Sequence, residues 1–130
     1  MLETKISGCA IINDEKILLL HKKKKNYYEF PGGKIELGEN RRGTAKRETK
    51  EEIGCVVDLR EYFGPYIFNN NGVKISHVYI AEIISGTPKI IERKKFDKIK
   101  YIPIRKYHKY KLAPNVKMFL KEYLNYIKEI

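Results

Sequence analysis

Residues Gly33 to Cys55 read GKIELGENRRGTAKRETKEEIGC, led in by Glu29-Phe30-Pro31-Gly32. Five residues separate Gly33 from Glu39, and seven more separate Glu39 from Arg47-Glu48. Pro31 and the two glycines predict a turn that most side chains could not follow. Asn40 is a natural N-cap for a helix starting at Arg41. Gly54 stands where a left-handed C-cap belongs. The helix between them has about three and a half turns.

Glu48, Glu51 and Glu52 are spaced i, i+3, i+4, which crowds them on one face of that helix. Like charges at this spacing destabilise an isolated helix by about 0.2–0.5 kcal/mol per pair. A hard divalent cation reverses the sign, because Mg²⁺ and Mn²⁺ prefer carboxylate, carbonyl and water oxygens. Carbonyls of the preceding glycine segment are further candidate ligands. The bland alternative is a solvated acidic face, with Arg47 pairing to Glu51 at i, i+4 and Lys46 and Lys50 nearby. The fixed distances to Gly33, Glu39 and Arg47 weigh against it. Ala45, Thr49 and Ile53 recur every four residues, so that stripe faces the core.

This 23-residue pattern resembles the Nudix box. The lead-in Phe30-Pro31-Gly32-Gly33-Lys34-Ile35-Glu36 is similar to the MutT branch of the Nudix hydrolases. The resemblance implies an α/β fold: an α/β/α sandwich with a mixed β-sheet between helices. It also implies hydrolysis of a nucleoside diphosphate linked to a further group. In a MutT-like member, water attacks a phosphorus of a nucleoside triphosphate and releases a nucleoside monophosphate and pyrophosphate. Carried over position by position, the Gly32 carbonyl, Glu51 and Glu52 are metal ligands, and Glu48 is a ligand or the base that positions water. Arg47 orients these acids through a salt bridge to Glu39. A further acid is expected from the loop before the last strand, with Glu92 the first choice and Asp97 the second. The implied cofactor is Mg²⁺, with Mn²⁺ as the alternative.

One position departs from the family pattern, and one glycine is unusual inside a helix. Thr49 replaces a bulky aliphatic residue; its methyl can still pack, and its hydroxyl can bond back to a helix carbonyl. Gly43 costs about 1 kcal/mol against Ala inside a helix. For the substrate, Leu112-Ala113-Pro114-Asn115 resembles the MutT segment whose asparagine reads a guanine edge; an amide donates and accepts at once. Lys22 and Lys23 stand where MutT has a base-contacting arginine. Phe30 is either core or a wall against a base.

The chain has 130 residues, 42% hydrophobic and 33% charged, which fits one soluble domain over residues 1–130 and excludes a disordered chain. No apolar run approaches the roughly 20 residues of a membrane span. The first nine residues lack a signal-peptide layout, so a cytoplasmic protein is expected. Cys9 and Cys55 read as buried thiols and not as a disulfide. The net charge of +11 favours polyanionic partners, nucleotides first and nucleic acid second. It does not address oligomeric state.

Along the chain, Lys5 to Ile12 and Lys16 to His21 predict a hairpin around Asn13-Asp14. Lys22 to Lys25 form either a solvated loop or a phosphate contact. Tyr28 to Phe30 predict a third strand and Val56 to Phe63 another. Tyr66 to Phe68 and Val73 to Ile84 flank the turn signal Asn69-Asn70-Asn71-Gly72. Mixed character on both faces makes Val73 to Ile84 a central strand, with His77 a packed histidine. Lys89 to Lys98 predict a loop, Tyr101 to Ile104 the last strand, and Pro114 the first turn of a final helix. Val116, Phe119, Leu120, Tyr123, Leu124 and Ile127 form its docking stripe. The competing functions are ADP-ribose or dinucleoside polyphosphate hydrolysis, and a non-catalytic module that holds a nucleotide or RNA. The clustered acids argue against the last.

Overall fold

Alternation of apolar residues along the strands decides the layers. On β1 (Glu3–Asn13), β2 (Lys16–Lys22) and β6 (Val73–Ser85), the residues Cys9, Ile11, Leu18, Leu20, Tyr79 and Ala81 feed one core. Their neighbours Ala10, Ile17, Leu19 and Val78 feed a second core on the opposite face. Strands buried on both faces need a cover on each side. Helix α1 (Arg41–Ile53) covers the first core with Ala45 and Ile53. Helix α2 (Pro114–Lys128) covers the second with Val116, Phe119 and Leu120.

The computed structural model describes residues 3–128. The remaining elements are β3 (Tyr27–Glu29), β4 (Gly32–Lys34), β5 (Val56–Asn69) and β7 (Phe96–Pro103), with a 3-10 turn at Ile104–Lys109 before α2. The sheet runs β3-β2-β1-β6-β5, with β4 also on β1 and β7 also on β2. β1 and β6 are parallel and the other pairings antiparallel, so the sheet is mixed and lies between two helices. Phe119 is fully buried and meets Phe30 and Phe63 edge-on at 5.5 and 5.2 Å. Each such pair adds about 0.5–1.5 kcal/mol beyond area burial.

Helix α1 is charged on most of its surface and buries a narrow stripe of Thr44, Ala45, Thr49, Glu52 and Ile53. Its caps therefore carry weight. Asn40 Oδ1 accepts from Gly43 N–H at 2.8 Å, and Gly54, at φ 73°, donates to the Lys50 carbonyl at 3.0 Å. Both caps stand where the sequence predicts them.

Several expectations are corrected. Gly32 and Gly33 are not in a turn but in β4. The two strands expected on either side of Gly64-Pro65 are one strand, β5, whose register shifts absorb the interruption. β7 begins at Phe96 and not at Tyr101, because Phe96 is buried while its neighbours Asp97 and Lys98 face solvent. The Thr49 hydroxyl is buried without a hydrogen-bond partner and does not bond back to the helix. The thiols are buried and free, as expected, and burial raises the Cys9 pKa to about 11. His77 is packed: the Tyr62 hydroxyl meets its Nδ1 at 2.6 Å, and burial, then Arg41 and Lys5, hold its pKa low. No helix among the described residues is long and apolar enough to cross a membrane.

Candidate active site

The site begins with a close approach of two backbones. Gly8 on β1 faces Gly32 on β4. A Cβ on Gly32 would lie 2.6 Å from the Gly8 Cα, and one on Gly8 would lie 2.6 Å from the Pro31 carbonyl oxygen. The neighbouring ladder bonds, Cys9 N–H to Pro31 O and Ile35 N–H to Lys5 O, make Gly8–Gly32 a non-hydrogen-bonded pair. The Gly32 N–H and C=O therefore both turn away from β1. The N–H donates to Glu52 Oε1 at 2.8 Å. Gly33 lies against the other acid: its missing Cβ would fall 2.5–2.7 Å from the Glu48 carboxyl atoms.

Glu48 and Glu52, one helical turn apart, are thus held against the glycine strand. Glu52 is 1% exposed, and desolvation raises its pKa to about 9 despite the Gly32 bond. Glu29, Glu48 and Glu92 add to that rise. Burial raises Glu48 as well, Glu51 adding and Arg47 opposing. Arg47 is the organiser. Its Nε donates to Glu39 Oε2 at 2.5 Å and its Nη2 to Glu39 Oε1 at 2.9 Å, while Nη1 reaches Glu48 and Glu51 at 3.1 Å each. Glu39 also accepts from Glu36 N–H and Thr44 Oγ1, and its pKa falls to about 2, chiefly through Arg47.

Both acids border a cavity of about 410 Å³. Its walls combine lysines (Lys22, Lys34, Lys74, Lys95) with aromatic rings (Tyr27, Phe30, Phe68) and amides (Asn70, Asn115). Phe30 serves two ends: it is core against Phe119 and also cavity wall. Asn115 is buried there, its Nδ2 donating to Ser76 Oγ at 3.0 Å.

Five residues singled out from the sequence, Lys23, Arg47, Glu51, Glu92 and Asp97, stand apart from the cavity wall. Lys23 is exposed, with its N–H on the Lys95 carbonyl. Glu51 is half exposed and held by Arg47, so the three glutamates diverge. Asp97 is engaged by His21 Nδ1 at 2.6 Å. Glu92 lies close enough to Glu52 to raise its pKa, and its own Oε1 is buried with no hydrogen-bond partner. Lys95 Nζ stands 3.8 Å from that oxygen.

Glu29 escaped the sequence reading. It lines the cavity, burial raises its pKa, and Lys22 at 3.7 Å and Lys95 oppose the rise. No local signal marked it, because strand alternation puts it on the face opposite Tyr28 and Phe30.

A divalent ion fits this donor set. Among the described residues no three acids, histidines or cysteines converge into a finished cage. Mg²⁺ does not need one: it keeps waters and uses one or two carboxylates plus substrate phosphates. Glu48 and Glu52, both with raised pKa values, and the Gly32 carbonyl turned from its ladder leave a cation-deficient cluster of oxygens at the cavity wall, with Glu92 beside Lys95 just outside it.

Comparison with known proteins agrees with this geometry. The NUDIX domain model matches residues 3–123, and the chain belongs to the Nudix family. It is similar to the m7GpppN-mRNA hydrolase of Saccharomyces cerevisiae (strain ATCC 204508 / S288c), 32% identical over 88% of this chain but only 12% of that protein's length. It is also similar to the 8-oxo-dGTP diphosphatase of Buchnera aphidicola subsp. Acyrthosiphon pisum, 33% identical over 63% of this chain and 68% of that one. In fold it resembles the MutT protein of Methanosarcina mazei Go1, with a TM-score of 0.85 at 18% identity over 97% of this chain and 96% of that one. Nudix hydrolases generally require divalent metal ions.

Proposed function

We propose that the chain is a single Nudix domain that hydrolyses phosphoric anhydride bonds, cleaving a nucleoside diphosphate joined to a further group. The most specific form of the proposal is a MutT-like pyrophosphohydrolase that converts a nucleoside triphosphate, the 8-oxo purine forms included, to a monophosphate and pyrophosphate. The observation that carries it is the buried Glu52 beside Glu48 against Gly32 and Gly33, at a cavity walled by lysines, rings and amides. Similarity to the 8-oxo-dGTP diphosphatase of Buchnera aphidicola supports the substrate.

Glu52 and the Gly32 carbonyl, with Glu92 as a further acid, would hold Mg²⁺, or Mn²⁺ in its place, which leaves Glu48 free to act as the base. When bound, the ion would offset charge on the diphosphate oxygens. The chain's own residues do the rest. Glu48, nearer the cavity than Glu51, accepts a proton from the attacking water. Arg47 keeps Glu48 and Glu51 in place. Lys22 and Lys95 face phosphate oxygens, and phosphoryl transfer depends mostly on such positioning and charge. Phe30 and Asn115 take the base.

A second reading, action on the 5′ end of a capped RNA, is favoured by the similarity to the yeast mRNA hydrolase and by the charge of +11. The test is release of pyrophosphate or phosphate with Mg²⁺ across nucleoside triphosphates, 8-oxo-dGTP, ADP-ribose, a dinucleoside tetraphosphate and capped RNA, comparing wild type with Glu52→Gln. Triphosphates are expected to lead, with pyrophosphate as product and loss in the variant. Hydrolysis of none, together with steeply salt-dependent RNA binding, would replace the enzyme with a binding module.

A further inference from the structure

The net positive charge of this chain is not spread evenly along its sequence. Residues 22–25 and 89–111 hold fourteen of the 27 Lys and Arg against two of the 16 acids, Glu92 and Asp97. The rest of the chain holds thirteen cations and fourteen acids, so these two segments account for the whole net charge of +11. They are joined in space. β2 and β7 pair with His21 opposite Lys98 and Leu19 opposite Lys100, and Lys23 N–H bonds the Lys95 carbonyl at 3.0 Å. Of the fourteen cations, Lys22, Lys95 and Arg105 have a carboxylate within 4.0 Å among the described residues, and the other eleven have none there. Uncompensated lysines brought together repel one another, and a polyanion removes that cost.

The strip also carries rings. Lys100 Nζ stands 5.2 Å over the Tyr110 ring, Tyr110 meets Tyr28 edge-on at 6.1 Å, and Tyr28 meets His21 at 5.0 Å. Cations along a backbone track with aromatic plates between them are what an unpaired nucleic-acid strand requires. The eight residues of β7 extend over about 26 Å. One end of the strip opens on the cavity: Lys22 and Lys95 line it, and Ile91 N–H bonds the Glu52 carbonyl at 3.0 Å.

We infer that the face built from β2, β7 and the 22–25 loop binds a single-stranded nucleic acid and presents the strand's 5′-phosphorylated end to the cavity. The second half of this inference rests on the hydrolase reading; the binding strip does not.

The test is fluorescence anisotropy of a 12-nucleotide strand, as RNA and as DNA, each with a 5′-triphosphate or a 5′-hydroxyl, across a salt series. Anionic phospholipid vesicles serve as a third ligand. The strip variants are Lys98→Glu with Lys100→Glu and, should that pair fail to fold, Lys98→Gln with Lys100→Gln. The control is Lys117→Glu with Lys121→Glu on the exposed side of α2. Expected is a loss of at least about tenfold in strand affinity at 0.1 M salt for the Glu pair. The neutral pair should lower the log-log salt slope by about 1.4, from about 0.7 per lost phosphate contact. The control should change less than twofold, and mononucleotide hydrolysis should be unaltered in the strip variants.

Binding of RNA, DNA or both upholds the strip and identifies the strand, and tighter binding of the 5′-triphosphate form upholds its polarity. Absence of strand binding, an equal loss in the control, or tighter binding to vesicles overturns it. A protein that binds strands but hydrolyses no nucleotide would remove the enzyme proposal and leave the strip.

Discussion

Replacing Glu52 with Gln should stabilise the metal-free protein at neutral to alkaline pH while abolishing its response to a divalent ion. The Glu52 carboxyl is almost wholly buried and its pKa is raised to about 9, mainly by desolvation. In the unfolded chain the same group titrates in the ordinary carboxylate range, near 4.5. Between these values the folded state binds more protons than the unfolded one. Stability from this group is thus fully present below the unfolded pKa and is lost as pH rises toward about 9. One proton's difference gives a slope of about 1.4 kcal/mol per pH unit, on the order of 3 kcal/mol between pH 6 and 8. Glutamine copies the protonated acid in size and keeps an oxygen for the Gly32 N–H, so its slope is smaller by that amount. Glu29 and Glu48 also have raised pKa values and remain in both proteins, so the difference between the two isolates Glu52. The assay is urea unfolding in EDTA at pH 6, 7 and 8, repeated with Mg²⁺. Wild type should lose stability as pH rises and regain it with the ion; the variant should do neither to the same degree. Parallel pH slopes in the two proteins would refute the reasoning.

Other substitutions separate fold from site. Gly32→Ala puts a Cβ 2.6 Å from the Gly8 backbone and should cost several kcal/mol, about 3 or more, in urea melts. Gly33→Ala instead meets the movable Glu48 side chain; it should leave the melt nearly unchanged while lowering kcat by about 100-fold, the effect of a misplaced group. Thr49→Val removes a buried hydroxyl whose polar neighbour is the Cys9 thiol, a weak partner, and should stabilise by about 1 kcal/mol, read from the urea midpoint at pH 7. Arg47→Lys keeps the charge but loses the fork that holds Glu39, Glu48 and Glu51; kcat should fall about tenfold or more with KM within about twofold.

The parts of this molecule written in local chemistry were readable before any coordinates. Asn40 and Gly54 bound α1 because a cap acts within four residues of itself. The Ile17–Leu20 run announced a strand buried on both faces. The glycines were legible as necessary but for the wrong reason: Gly32 answers to Gly8, 24 positions away, and Gly33 answers to the Glu48 carboxyl. No local pattern carries such a distant partner. The start of β7 reads as loop because Asp97 and Lys98 are exposed and charged, and burial of Phe96 needs the sheet to explain it. Glu29 was missed for a similar reason, since a single acid has no periodicity and its raised pKa comes from folding. The three helix glutamates were legible as a cluster, yet Arg47 draws Glu51 aside and leaves Glu48 and Glu52 at the cavity. The charge of +11 is visible as a sum, whereas the joining of residues 22–25 to the 89–111 segment appears once β2 and β7 are paired.

The most direct test of the cation-deficient cluster is a count of bound Mn²⁺ by electron paramagnetic resonance, with the protein at pH 7 and a non-hydrolysable nucleotide present. Wild type should take up the ion and release about one proton as the Glu52 carboxyl ionises, whereas Glu52→Gln should bind at least about tenfold more weakly and release none. Equal Mn²⁺ affinity and equal proton release in the two proteins would contradict the account.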